Sequence, residues 1–174
     1  MNYTKLGERL NRFEYSINTD NDKYRYRLKN QSEFYSSKSG ICWDLANYLA
    51  FNIPKSEFYY MALPNMAVTH TFVIYPDHGK WCYFDSSWGE KDFRGIFEYD
   101  TKKELLEWIT RRFLRESGFD YEKKEYVLMI KPNYTKSYIP FGKDGETYLK
   151  WVYKTFRFVD GDKKIYQKQK EQYS

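Results

Sequence analysis

Cysteine is scarce: two residues, Cys42 and Cys82, in a chain of 174. That is too few for the disulfide scaffold of a small secreted protein, so reduced thiols are expected. Long apolar runs are missing as well. The longest, such as YVLMI at 126–130, fall far short of the roughly 20 residues needed to cross a bilayer. The opening MNYTKLGERL carries no apolar signal segment, so the cytoplasm is the expected compartment. Neither sign of charge dominates. The 29 Lys and Arg and the 24 Asp and Glu are interleaved, and a net charge of +5 spread this way argues against a nucleic-acid or membrane-surface footprint. Aliphatic residues are few beside the aromatics, which make up 21% of the chain, so the core must be built from Tyr, Phe and Trp. No repeat or linker interrupts the sequence. One globular domain over 1–174 is expected, with its core at about 30–131 and a C-terminal extension at 132–174.

From residue 1 to about 38 the chain is polar and Tyr-rich, with a short helix predicted near 4–15. In SKSGICWDLANYLAFNIP, Ile41, Leu45, Tyr48 and Leu49 recur at helical spacing, and Pro54 stops the helix. Ser39 or Gly40 is the predicted cap, leaving Cys42 in the first turn. The segments 57–63, 68–75, 80–85 and 124–131 are short, aromatic or β-branched, and bounded by turn residues, which predicts strands of an antiparallel sheet. Thr101 and Glu104 form a capping box for a helix whose Leu105, Ile109 and Phe113 share a face, with Gly118 as its stop. Residues 148–156 fit helix or strand equally, and the polar tail is expected to fray.

A helix N-terminus offers a thiol a partial positive charge and free N–H groups, which stabilise both a thiolate and the oxyanion formed when it attacks a carbonyl. Cys42 occupies such a position. His70 lies in the apolar strand VTHTFVIY. If Pro76 to Gly79 make the turn, Tyr75 faces Lys80 and His70 faces Asp85, with Cβ atoms about 5 Å apart on one face. A carboxylate there orients the imidazole and supports its protonated form. Trp43, Trp81 and Trp88 cluster in sequence around these three, suited to excluding water or lining an acyl slot, or to packing the core. Asp44 favours the helix start rather than catalysis, and the arginines at 111, 112 and 115 suit the solvated side of a helix.

The strings GICWD (40–44), THTFVIY (69–75), WCYFDSSWG (81–89) and RGIFEY (94–99), followed by KELLEWITRRF, resemble the bacterial transglutaminase-like proteins of the transglutaminase/papain-like cysteine-enzyme superfamily. The similarity spans about residues 30–130. It implies an α+β fold with the nucleophile at a helix N-terminus packed on an antiparallel sheet, and a Cys42–His70–Asp85 triad. The reaction implied is acyl transfer from an amide of a protein or peptide: hydrolysis, deamidation or transfer to an amine. Cys42 attacks, His70 exchanges the proton and Asp85 orients His70; no cofactor is needed. Trp43 and Trp88 are candidates for substrate binding, and Gln31 is a candidate second oxyanion donor by polarity and upstream position.

Two other readings compete. Cys42, His70, His78 and Cys82 are all residue types that zinc accepts, but there is no CxxC or HxxxH pair, and Cys82 falls on the opposite strand face from His70. The chain could also be a non-catalytic binding module on a transglutaminase-like scaffold, its basic and aromatic surface engaging nucleic acid or an acidic protein.

Overall fold

A computed structural model describes residues 13–17, 22–63, 68–89, 91–119, 128–132 and 139–174. In chain order its elements are β1 (Glu14–Tyr15), α1 (Gln31–Ser37), β2 (Ser39–Gly40), α2 (Cys42–Asn52), β3 (Glu57–Leu63), β4 (Val68–Asp77), β5 (Lys80–Asp85), β6 (Gly95–Tyr99), α3 (Lys102–Glu116), β7 (Leu128–Pro132), α4 (Gly145–Thr155), β8 (Phe156–Asp160) and α5 (Lys163–Gln172). Six strands make one antiparallel sheet in the order β6-β5-β4-β3-β7-β8, and β1 and β2 form a separate parallel pair. The fold class is α+β.

Strand alternation sorts the aromatics into two cores. Phe58, Tyr60, Val73, Tyr75, Cys82, Phe84 and Ile130 face one side, which α2, α4 and α5 cover with Leu45, Leu49, Tyr148, Val152 and Tyr166. Tyr59, Met61, Phe72, Ile74, Tyr83 and Met129 face the other, where α3 lays down Leu105, Ile109 and Phe113. The C-terminal residues supply a strand of the sheet and buried groups of the first core.

Several local expectations change. Of the helix predicted near 4–15, residues 4–12 lie outside the described residues, and Glu14–Tyr15 is a strand beside Ser39–Gly40. The strand predicted at 124–131 is described only over 128–132, the rest lying outside the described residues. The ambiguous 148–156 resolves into both states: α4 ends at Thr155 and β8 begins at Phe156. The tail forms α5, capped by Asp162 and anchored by the buried Tyr166.

The β4–β5 hairpin turns on His78 and Gly79 alone, both at positive φ (47° and 81°), as the two-residue turn that matches strand twist requires. Asp77 therefore pairs with Lys80, and Tyr75 with Cys82, two residues away from the expected register. A slip of two preserves side-chain parity. His70 and Asp85 remain on one face, now as diagonal rather than directly opposed neighbours.

Candidate active site

Helix α2 begins one residue later than the predicted caps allow. Ile41 holds the N-cap position with extended backbone and no side-chain cap of its own, and Cys42 is the first helical residue. The capping is done from within the helix by Asp44, whose Oδ2 accepts the Ile41 N–H at 2.9 Å while Oδ1 accepts the Lys29 N–H at 2.7 Å. One carboxylate thus ties the segment before α1 to the turn carrying the thiol. Burial pushes the Asp44 carboxyl up to about 6 against the pull of those two N–H donors. Gly40 is required beside it, because a Cβ there would stand 2.3 Å from Asp44 Oδ2. At the first helical position the Cys42 N–H has no intrahelical acceptor.

Across the cleft, Asp85 ends β5 with 2% of its surface exposed and both oxygens occupied. Oδ1 accepts the Ser87 N–H and hydroxyl, each at 2.6 Å, in a turn closed by the Asp side chain. Oδ2 accepts the Tyr83 hydroxyl at 2.7 Å and meets His70 Nε2 at 3.0 Å. The Tyr83 oxygen in turn accepts the Trp88 indole N–H at 2.5 Å and lies 3.4 Å from His70 Nε2. The imidazole is wedged between rings, its centroid 4.2 Å from Trp88 and 6.0 Å from Phe72. Nε2 is committed to Asp85, so Nδ1 is the ring nitrogen left for a partner in the cleft that His70 shares with Cys42. Burial alone would push His70 down. The Asp85 carboxylate outweighs it, aided by Cys42, and His70 is held up at about 9. Asp85 shows the converse: burial pushes it up, but His70, Ser87 and Tyr83 together hold it below the usual carboxylate range.

Cys42 and His70 line one cleft of about 390 Å³ together with Tyr15, Val68, Thr69, Trp88 and others from the start of β4, the loop after β5 and the end of α3. The cleft lies where the two cores abut, Cys42 belonging to the first and Trp88 and Phe113 to the second. No family model, curated protein or solved structure matches this chain.

Of the residues singled out in the sequence, Cys42, His70, Asp85 and Trp88 come together. Trp43 does not line the cleft: it is 5% exposed and lies in the first core with its ring centroid 3.7 Å from that of Tyr148. One helical step of 100° separates it from Cys42 and turns it inward. Gln31 opens α1, does not line the cleft, and has its Oε1 buried with no partner among the described residues. Trp81 packs against the second core under the Lys102 ammonium. The arginines of α3 are not simply solvated, since Arg112 lies over the rings of Phe93 and Trp108. His78 sits on the hairpin tip, 93% exposed and paired with Asp77. Among the described residues, no three acidic, His or Cys side chains form a metal-binding group.

Three contributors were not anticipated. Tyr83 shares the strand face of Asp85 two residues away, so parity alone could have flagged it. Ser87 follows Asp85 at the spacing of an Asx turn. Arg94, whose Nε donates to the Trp88 carbonyl at 2.6 Å and so braces the loop carrying Trp88, had no signal.

Proposed function

We propose that the chain is a cysteine-nucleophile enzyme of transglutaminase-like or papain-like type, acting on an amide by acyl transfer. The observation carrying this reading is that Cys42 and His70 line one open cleft while the His70 imidazole is paired at 3.0 Å with the buried Asp85 carboxylate. A thiolate at Cys42 paired with an imidazolium at His70 attacks the amide carbon; the S–C bond forms and the carbonyl electrons move onto oxygen. When the oxyanion collapses, the C–N bond breaks and His70 gives its proton to the departing nitrogen. His70, now neutral, takes a proton from water or an incoming amine, which attacks the thioester and releases Cys42. Asp85 holds Nε2 throughout and steadies the positive ring. Residues 30–130, with the nucleophile opening a helix packed on an antiparallel sheet, support the transglutaminase-like scaffold. A cleft of about 390 Å³, near the lower end of the roughly 300–1,000 Å³ of small-molecule sites, favours one amide-bearing side chain over an extended peptide.

Iodoacetamide labelling tests the proposal, with Cys82 as the internal reference. Burial and the neighbouring Glu98 and Asp77 carboxylates push the Cys82 thiol up to about 11. At pH 7 the enzyme reading expects Cys42 to be alkylated much faster than Cys82, and Cys42→Ala to abolish the fast phase. Equally slow labelling of both thiols would refute it and favour the binding module.

A further inference from the structure

An acyl-transfer site needs two donors for its oxyanion, and the Cys42 N–H accounts for one. Most polar groups lining the cleft are already engaged. The Trp88 indole donates to Tyr83, the Ser87 hydroxyl to Asp85, the Ser117 hydroxyl to the Phe113 carbonyl, and Arg94 to the carbonyls of Trp88 and Gly89. Tyr15 is different. It also lines the cleft that holds Cys42, and with 49% of its surface exposed it keeps its hydroxyl open to the cleft's solvent rather than tied to one of these bonds. The backbone holds it there: β1 runs parallel to β2, with Glu14 N–H on the Lys38 carbonyl at 3.0 Å and Ser16 N–H on the Gly40 carbonyl at 2.8 Å. Tyr15 thereby pairs with Gly40, two residues before Cys42.

We propose that the Tyr15 hydroxyl is the second oxyanion donor, acting with the Cys42 N–H; this rests on the acyl-transfer reading above. Burial, then the nearby Cys42, Tyr26 and Asp44, push the Tyr15 phenol up to about 12, so it stays a neutral donor throughout the working range. As the thiolate attacks, the carbonyl oxygen gains charge between a backbone N–H and a phenol O–H, and the pair releases it when the C–N or C–O bond breaks.

Two probes separate this role from the underlying chemistry. Iodoacetamide reacts with a thiolate by displacement and forms no oxyanion, whereas p-nitrophenyl acetate acylates it through a tetrahedral oxyanion. Loss of one such donor costs about 10²–10³ in rate in well-studied acyl-transfer enzymes. Tyr15→Phe, which keeps the ring, is expected to slow acylation about 100-fold while alkylation of Cys42 stays within twofold of wild type. Unchanged acylation would overturn the inference. So would an equal slowing of both reactions, which would make Tyr15 a positioning residue. Thr69→Val is the companion variant, because Thr69 also lines the cleft; a 100-fold loss there with Tyr15→Phe unaffected would give the donor to Thr69 and overturn the assignment. Wild-type protein showing neither fast alkylation nor acylation of Cys42 would overturn the acyl-transfer reading, and the Tyr15 role with it.

Discussion

Asp85→Asn removes the charge that holds His70 protonated while keeping a side chain of the same shape. The distance from about 9 down to the ordinary histidine value of 6.5 corresponds to about 3 kcal/mol of preference for the imidazolium, at about 1.4 kcal/mol per pH unit. With the carboxylate gone, burial works against the charge and only Cys42 still favours it, so His70 is expected to titrate far below 9 in the variant. Two-dimensional ¹H–¹⁵N spectra of the imidazoles follow this directly, since the chain has only two histidines and His78 is exposed. The same difference appears in stability. A histidine raised in the folded state adds stability that is complete below 6.5 and is lost as pH climbs through about 9. Asp85, lowered in the folded state, adds stability present above its unfolded value and lost on acidification through the folded one. The two describe one ion pair and count once. Urea unfolding of wild type is therefore expected to lose about 3 kcal/mol between pH 6.5 and 9, and Asp85→Asn to be nearly flat there. Iodoacetamide labelling of Cys42 at pH 7 should slow in parallel. A wild-type His70 titrating at or below 6.5, or an Asn variant that leaves its titration where it was, would refute the reasoning.

Two further outcomes follow from the packing. Gly40→Ala drives a methyl into Asp44 Oδ2 and disrupts its bonds to Ile41 and Lys29; urea denaturation should register a loss of about 1–2 kcal/mol, the range for a lost helix cap, or more. Tyr148→Phe removes a fully buried hydroxyl with no partner among the described residues, and the denaturation midpoint should rise, by about 1 kcal/mol, as an unsatisfied polar group is eliminated.

The grouping of Cys42, His70 and Asp85 was legible because its three signals are local: a thiol two residues after a glycine at the start of an apolar helix, and an imidazole and a carboxylate on flanks of one hairpin. The hairpin register differs by two residues from the one that a four-residue PDHG turn implies, because the backbone turns at His78 and Gly79 alone. The His70–Asp85 pair forms all the same because the difference is even. Trp43 and Gln31 do not line the cleft: nearness to Cys42 does not specify which way Trp43 points from the helix, and polarity with an upstream position does not place the Gln31 side chain. Helix α1 went unnoticed although Asn30 and Glu33 write a capping box, each bonding the other's backbone. Its single buried residue, Phe34, leaves too little periodicity to see. The split between α4 and β8 was hidden because WVYKTF suits both states, and only the sheet edge offered by β7 draws Phe156 onward into a strand.

Cys82 pairs with Tyr75 near the hairpin tip, whereas Cys42 shares a cleft with His70, five residues earlier in β4. At about 3.3 Å per strand residue the β4 positions beside the two cysteines lie roughly 16 Å apart, well beyond the span of about 7 Å between Cα atoms that a disulfide tolerates. Cys82 therefore cannot serve as a resolving partner for Cys42. A peroxide reaching Cys42 would leave a sulfenic acid that only an external thiol can reduce, and prolonged exposure would carry it on to the irreversible acids.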